Sequence, residues 1–118
     1  MKYLCLIYDE ESKLAAMSKS ESDAFMLEYR AFTQSIKASG QWLAGEPLKP
    51  VSTASTVRVR NGKVSATDGP FAETREQLGG FYMIDARDLN EAIQVAARIP
   101  SARIGSIEVR PIMVFGGG

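Results

Sequence analysis

Residues 2–8 read KYLCLIY, and from Tyr3 to Tyr8 every position is apolar or aromatic. A strand with one wet face alternates apolar with polar residues, so an unbroken apolar run of this length predicts a strand covered on both sides. Working outward, Ser20 with Asp23 three positions later forms a capping box, and Phe25, Tyr29, Phe32 and Ile36 then recur at helical spacing toward a stop at Gly40. From Gln41 to Ser55 the glycine and prolines at 45, 47 and 50 interrupt any period, which predicts an irregular crossover carrying Trp42.

TVRVRNGKVSAT (residues 56–67) alternates valine with arginine around Asn61-Gly62, the pair that a type I′ turn favours, and predicts a β-hairpin. FYMIDA (81–86) reads as a further strand, Asp88 with Glu91 caps a second helix that ends at Pro100, and IEVRPIMVF (107–115) reads as a last strand. Pro111 marks that strand as an edge or bulge, and Gly116–Gly118 reads as a mobile tail. Strand, helix, hairpin, strand, helix, strand is the order of an α+β, ferredoxin-like βαββαβ sheet with both helices on one face. The apolar strands would leave the other face open, and a second copy of the chain is the simplest cover, so a homodimer is expected.

The chain has 118 residues, the length of one domain, and its 14 basic and 14 acidic residues cancel without forming a charged block. Neither nucleic acid nor an anionic membrane is therefore expected as a partner. The apolar opening is too short for a signal peptide or a membrane span, and the lone Cys5 lies inside it, so a cytoplasmic protein with a buried, inert thiol is expected. With no histidine and one cysteine, histidine-dependent triads and histidine-ligated metals are excluded, and neither a metal nor another cofactor is expected.

The segment from Asp68 to Gly80, DGPFAETREQLGG, is thirteen residues long, where a hairpin connection needs about two to five. Excess length and dense polarity make it the candidate functional loop. Asp68 suits an Asx-turn and an acid/base role, and Gly69 precedes Pro70 without strain. Phe71 would anchor the loop in an apolar slot, Glu73 and Gln77 offer polar contacts to a ligand, and Arg75 could clamp an oxyanion. Gly79 and Gly80 allow a bulge or a close backbone approach. Ordinary turn chemistry and a solvated charged face explain the same residues without any function.

DGPFAETREQLGGFY resembles the signature of the DGPF branch of the YCII-related family. KYLCLIY, EYRAF (28–32), TVRVRNGKV (56–64) and SIEVRP (106–111) resemble that family at the same relative positions. The resemblance implies a dimeric α+β barrel, built from two ferredoxin-like sheets face to face, and a frequent genetic association with alternative sigma factors. Shorter members of the family have been proposed to use a histidine in the first helix and an aspartate near the end of the second. Here those positions hold Tyr29 and Ile99, so that dyad is not carried over.

Two readings follow. In the first, the chain is a cofactor-independent enzyme performing acid/base chemistry on a small carbonyl or phenolic substrate, with Asp68, Tyr29 and Arg75 catalytic and Phe71, Glu73, Gln77 and Trp42 lining the site. Core packing competes with function for both Tyr29 and Trp42. In the second, it is a non-catalytic small-ligand sensor or accessory dimer, with a regulatory protein partner, in a sigma-factor-linked pathway.

Overall fold

The opening run forms strand β1 (Lys2–Asp9), and its uniform hydrophobicity conceals an alternation of burial: Tyr3, Cys5, Ile7 and Asp9 are buried while Leu4, Leu6 and Tyr8 are half-buried. The buried set faces the helices and the half-buried set faces away from them. The computed structural model describes residues 1–116. A short helix α1 (Glu11–Ala15), which the sequence did not announce, leads into the long helix α2 (Lys19–Ala38). The capping box of α2 is Ser18 with Glu21 rather than Ser20 with Asp23. Asp23 instead pairs with Lys19 Nζ at 2.8 Å, one turn earlier on the helix surface. Gly40, at φ +78°, turns the chain out of the helix as expected.

The segment expected to be irregular is a strand, β2 (Trp42–Pro47). Its glycine and proline have positional causes. A Cβ at Gly45 would lie 2.8 Å from Tyr82 Cδ1, and Pro47 closes a strand at the sheet edge, where a missing N–H costs no ladder bond. Strands β3 (Ser55–Arg60) and β4 (Lys63–Asp68) form the expected hairpin on Asn61-Gly62, but as a separate two-stranded sheet. After β5 (Gln77–Asp85) come α3 (Leu89–Ala96), capped by Asp88 as read, and β6 (Ser106–Pro111).

The four-stranded sheet has the ferredoxin-like order β2-β5-β1-β6 with antiparallel neighbours. Tyr3, Cys5, Ile7, Tyr82 and Ile84 meet Phe32 and Ile36 of α2 and Ala92, Val95 and Ala96 of α3 in the core. Burial pushes the Cys5 thiol up to about 11, so it stays protonated and unreactive at neutral pH. The last strand stops at Pro111 rather than Phe115, and its outward positions Ser106, Glu108 and Arg110 are polar. The apolar patch on the open face therefore centres on Leu4, Leu6 and Tyr8 of β1 with Leu78, Phe81 and Met83 of β5. Of the glycine tail, residues 117 and 118 lie outside the described residues.

Candidate functional site

The helix-facing register of β1 ends on a carboxylate: Asp9 is only 7% exposed. A charge so placed needs partners. Ser101 Oγ donates to Asp9 Oδ2 at 2.9 Å, and the Ser101 hydroxyl lies 2.5 Å from Tyr29 Oη of α2. Because the single Ser101 proton goes to Asp9, Tyr29 is the donor in the second contact. The result is a continuous chain, Tyr29 to Ser101 to Asp9.

Local structure fixes each member. Pro100 starts a 3-10 turn, Pro100–Arg103, that places the fully buried Ser101 behind β1. The N–H of Gly105 donates to the Ser101 carbonyl at 2.7 Å. A Cβ at Gly105 would lie 2.1 Å from the Tyr8 carbonyl oxygen and 3.0 Å from Asp9 Oδ1, so only glycine permits this approach. On the other side, Thr33 Oγ1 donates to the Tyr29 carbonyl at 2.9 Å and is 2.6 Å from Tyr82 Oη.

Asp9 Oδ1 is buried without a hydrogen-bond partner among the described residues. Burial holds the Asp9 carboxyl above the usual carboxylate range; the Ser101 hydrogen bond opposes this, and the negative charge of Glu76 adds to it. Burial pushes Tyr29 up to about 12, again against the Ser101 hydrogen bond, with smaller contributions from Asp9 and Tyr82. Tyr82 is likewise raised by burial, opposed by its bond with Thr33. At neutral pH Tyr29 is thus a neutral donor, and an ionised Asp9 is a stronger base than an exposed carboxylate.

Asp9 and Tyr29 lie on a cavity of about 530 Å³ between α2, α1 and the β2–β5 side of the sheet. Its walls include Phe25, Trp42 and Tyr82, and Arg30 and Lys37 supply the cations. Lys37 Nζ stands 4.6 Å from the centroid of the Trp42 ring. The arrangement suits a small, flat, largely apolar molecule bearing an acidic proton or a negative charge. Among the described residues no cluster of three or more acidic or cysteine side chains forms a metal site.

Residues 1–116 match the YCII-related domain. The chain belongs to the YCII-related family. An uncharacterised protein of Rhizobium meliloti (strain 1021) is 38% identical over 120 residues, covering 100% of this chain and 97% of that protein. Among solved structures, 5-chloro-2-hydroxyhydroquinone dehydrochlorinase from Burkholderia phenoliruptrix AC1100, in complex with 2,5-dihydroxybenzoquinone, is similar with a TM-score of 0.56 at 15% identity, covering 96% of this chain and 94% of that one. At that identity the likeness shows a shared fold.

Within this YCII-related chain, the residues singled out in the sequence fall in different places. Tyr29 and Trp42 line the cavity. Asp68 does not meet Tyr29: it is exposed at the end of β4, opposite Ser55, and no Asx-turn closes on its carboxylate because the residue two positions on, Pro70, has no N–H, while the Gly69 N–H goes to the Ala54 carbonyl at 2.7 Å. The carboxylate linked to Tyr29 is Asp9. Phe71 is 83% exposed and fills no slot in its own chain, and Glu73 is exposed.

Arg75 does not line the cavity; its Nε lies 3.1 Å from Glu10 Oε1 in an exposed ion pair. Gln77 Oε1 accepts the Glu11 N–H at 2.9 Å and its Nε2 donates to the Thr74 carbonyl at 2.6 Å. The loop therefore clamps the turn just after Asp9 and sends one charge, Glu76, toward it. The connection itself is shorter than thirteen residues, because Gln77–Gly80 belong to β5. Gly80 meets β2 so closely that a Cβ would lie 2.9 Å from the Glu46 carbonyl oxygen. Sequence reading missed Asp9 and Ser101; the available signal was a carboxylate in phase with Tyr3, Cys5 and Ile7 on the buried side of the first strand.

Proposed function

We propose that the chain is a cofactor-independent enzyme that moves a proton on a small, planar carbonyl or phenolic substrate, working in the cytoplasm as a homodimer joined by the open sheet faces. The observation that carries this reading is the Tyr29–Ser101–Asp9 hydrogen-bond chain beside an aromatic-walled cavity, with both of its acidic groups raised by burial. A substrate hydroxyl placed against Tyr29 Oη passes its proton to Tyr29 as the Tyr29 proton moves to Ser101 and the Ser101 proton to Asp9 Oδ2. Both protein hydroxyls end neutral, Asp9 ends protonated, and the negative charge has moved to the substrate oxygen. Arg30 and Lys37 then favour the anion formed. The aromatic compound named for the structural neighbour belongs to this substrate class.

The test is a thermal-shift screen of phenols, quinones and enolisable carbonyl compounds on wild type, Asp9→Asn and Tyr29→Phe, followed by NMR of proton exchange or turnover for each hit. A ligand that stabilises all three proteins, with turnover at least about 100-fold slower in both variants, supports the relay. Turnover unaffected by Asp9→Asn overturns it. Binding without turnover in any of the three favours the sensor reading.

A further inference from the structure

Helical phase turns one face of α2 toward the cavity, with Tyr29, Thr33 and Lys37 each one turn beyond the last. Each meets its own part of the sheet side. Tyr29 is linked to Asp9, Thr33 lies 2.6 Å from Tyr82 Oη, and Lys37 Nζ stands over the Trp42 ring. The cavity therefore has an Asp9 end and a Trp42 end. Tyr29 and Lys37 are eight residues apart in the helix, about 12 Å at the helical rise.

The two ends differ in chemistry. At the first, Gly79 has no positive φ, and a Cβ there would meet only Asp9 Oδ2, at 4.0 Å. Neither backbone nor packing demands glycine at this position, and its missing side chain opens the cavity to that oxygen. At the second is a cation without an acid to match it. Among the described residues neither Lys37 nor Arg30, the other cation on the cavity, makes an ion pair. No residue three or four places from either is acidic, whereas Lys19 of the same helix lies 2.8 Å from Asp23 one turn on. Glu46 also borders the cavity, but it pairs with Phe81 across β2 and β5, so its side chain lies on the other face of the sheet. Held against Trp42, the Lys37 ammonium keeps its charge and its N–H donors.

We propose that the substrate is an aromatic acid: a flat ring whose acidic proton goes to Tyr29 and Asp9 above Gly79, joined to a carboxylate that Lys37 binds beside Trp42. This rests on the cavity being the substrate site and adds the charge and the length of the molecule. A cavity of about 530 Å³ is in the range that takes molecules larger than a single ring. Because the carboxylate is charged before and after the proton moves, its contact with Lys37 acts on binding rather than on the chemical step.

Isothermal titration calorimetry on the full chain compares para-hydroxycinnamate with its uncharged methyl ester in wild type, Lys37→Met and Lys37→Arg. Wild type is expected to bind the acid at least about 10-fold more tightly than the ester at low salt, with the preference shrinking as salt rises. Lys37→Met, which keeps an apolar stem on Trp42, is expected to bind the two alike, and Lys37→Arg to keep the preference. An ester bound as tightly as the acid by wild type overturns the proposal. So does an acid preference unchanged in Lys37→Met, or binding of neither compound at millimolar concentration. Should Lys37→Met not fold, the wild-type preference decides: one that falls with salt supports the proposal, and one indifferent to salt overturns it. The relay is judged by turnover in Asp9→Asn and this subsite by equilibrium binding with Asp9 intact, so either can fail alone.

Discussion

The surroundings of Asp9 disfavour its ionised form, and that has a thermodynamic consequence with a definite sign. Burial raises its pKa in the folded chain above the value of about 3.9 expected when unfolded. Below both values the group is protonated in each state and contributes nothing. As pH rises between them the unfolded chain ionises first, stability falls, and above the folded value the full penalty persists. Asp9→Asn retains an acceptor for Ser101 and removes the charge, so its Tm is expected to exceed that of wild type at pH 7 and to equal it near pH 3. Calorimetry at the two pH values checks this, and a lower Tm at pH 7 would show that the carboxylate stabilises the fold. A group that weakens the fold yet is held in place by Ser101, 92 residues away in sequence, has the character of a functional residue. The same separation explains why the pair was illegible: strand alternation puts Asp9 in phase with Tyr3, Cys5 and Ile7, but no local pattern connects it to Ser101.

Among the elements, the loop between β4 and β5 acts on the site by charge and by anchoring. Glu76 is the one loop residue whose charge raises the Asp9 pKa, and its Oε1 accepts from Ser106 Oγ at 2.7 Å. Glu76→Gln keeps that hydrogen-bond acceptor and removes the charge, so the carboxyl NMR titration of Asp9 is expected to shift to lower pH. Arg75→Ala breaks an exposed ion pair with Glu10, and is expected to cost less than about 1 kcal/mol in denaturant unfolding while leaving the Asp9 midpoint in place. A large loss of stability or a shifted midpoint with Arg75→Ala would make Arg75 part of the site after all. The elements with strong local signals, namely the opening strand, the valine–arginine hairpin and the helix begun by Asp88, were legible in sequence. Strand β2 was not, because Gly45 and Pro47 answer to the Tyr82 ring and the sheet edge rather than to a local turn. The length of the candidate loop was overestimated for a similar reason: Gly79 and Gly80 look like loop residues, but the close approach of β2 at Gly80 places them in a strand.

At the scale of the whole molecule, the relay and the exposed apolar surfaces make separate demands. Tyr29, Ser101 and Asp9 all come from one chain and are joined without a partner, whereas among the described residues the valine face of the hairpin is exposed and the open sheet face only half-buried. If folding is completed by association, the unfolding equilibrium includes dissociation, and apparent stability depends on protein concentration by mass action. A tenfold increase in concentration adds about 1.4 kcal/mol per dimer, which for two chains of this length raises Tm by about 3 °C. Scanning calorimetry over a tenfold concentration range is expected to show that rise in wild type. With Val57→Lys/Val64→Lys, Tm is expected to be lower and to vary less with concentration, because little dimer remains to dissociate. The Asp9 titration should not vary with concentration in either protein. A wild-type Tm independent of concentration would mean that one chain is stable with both apolar faces in water, and the exposed apolar surface would then need another occupant.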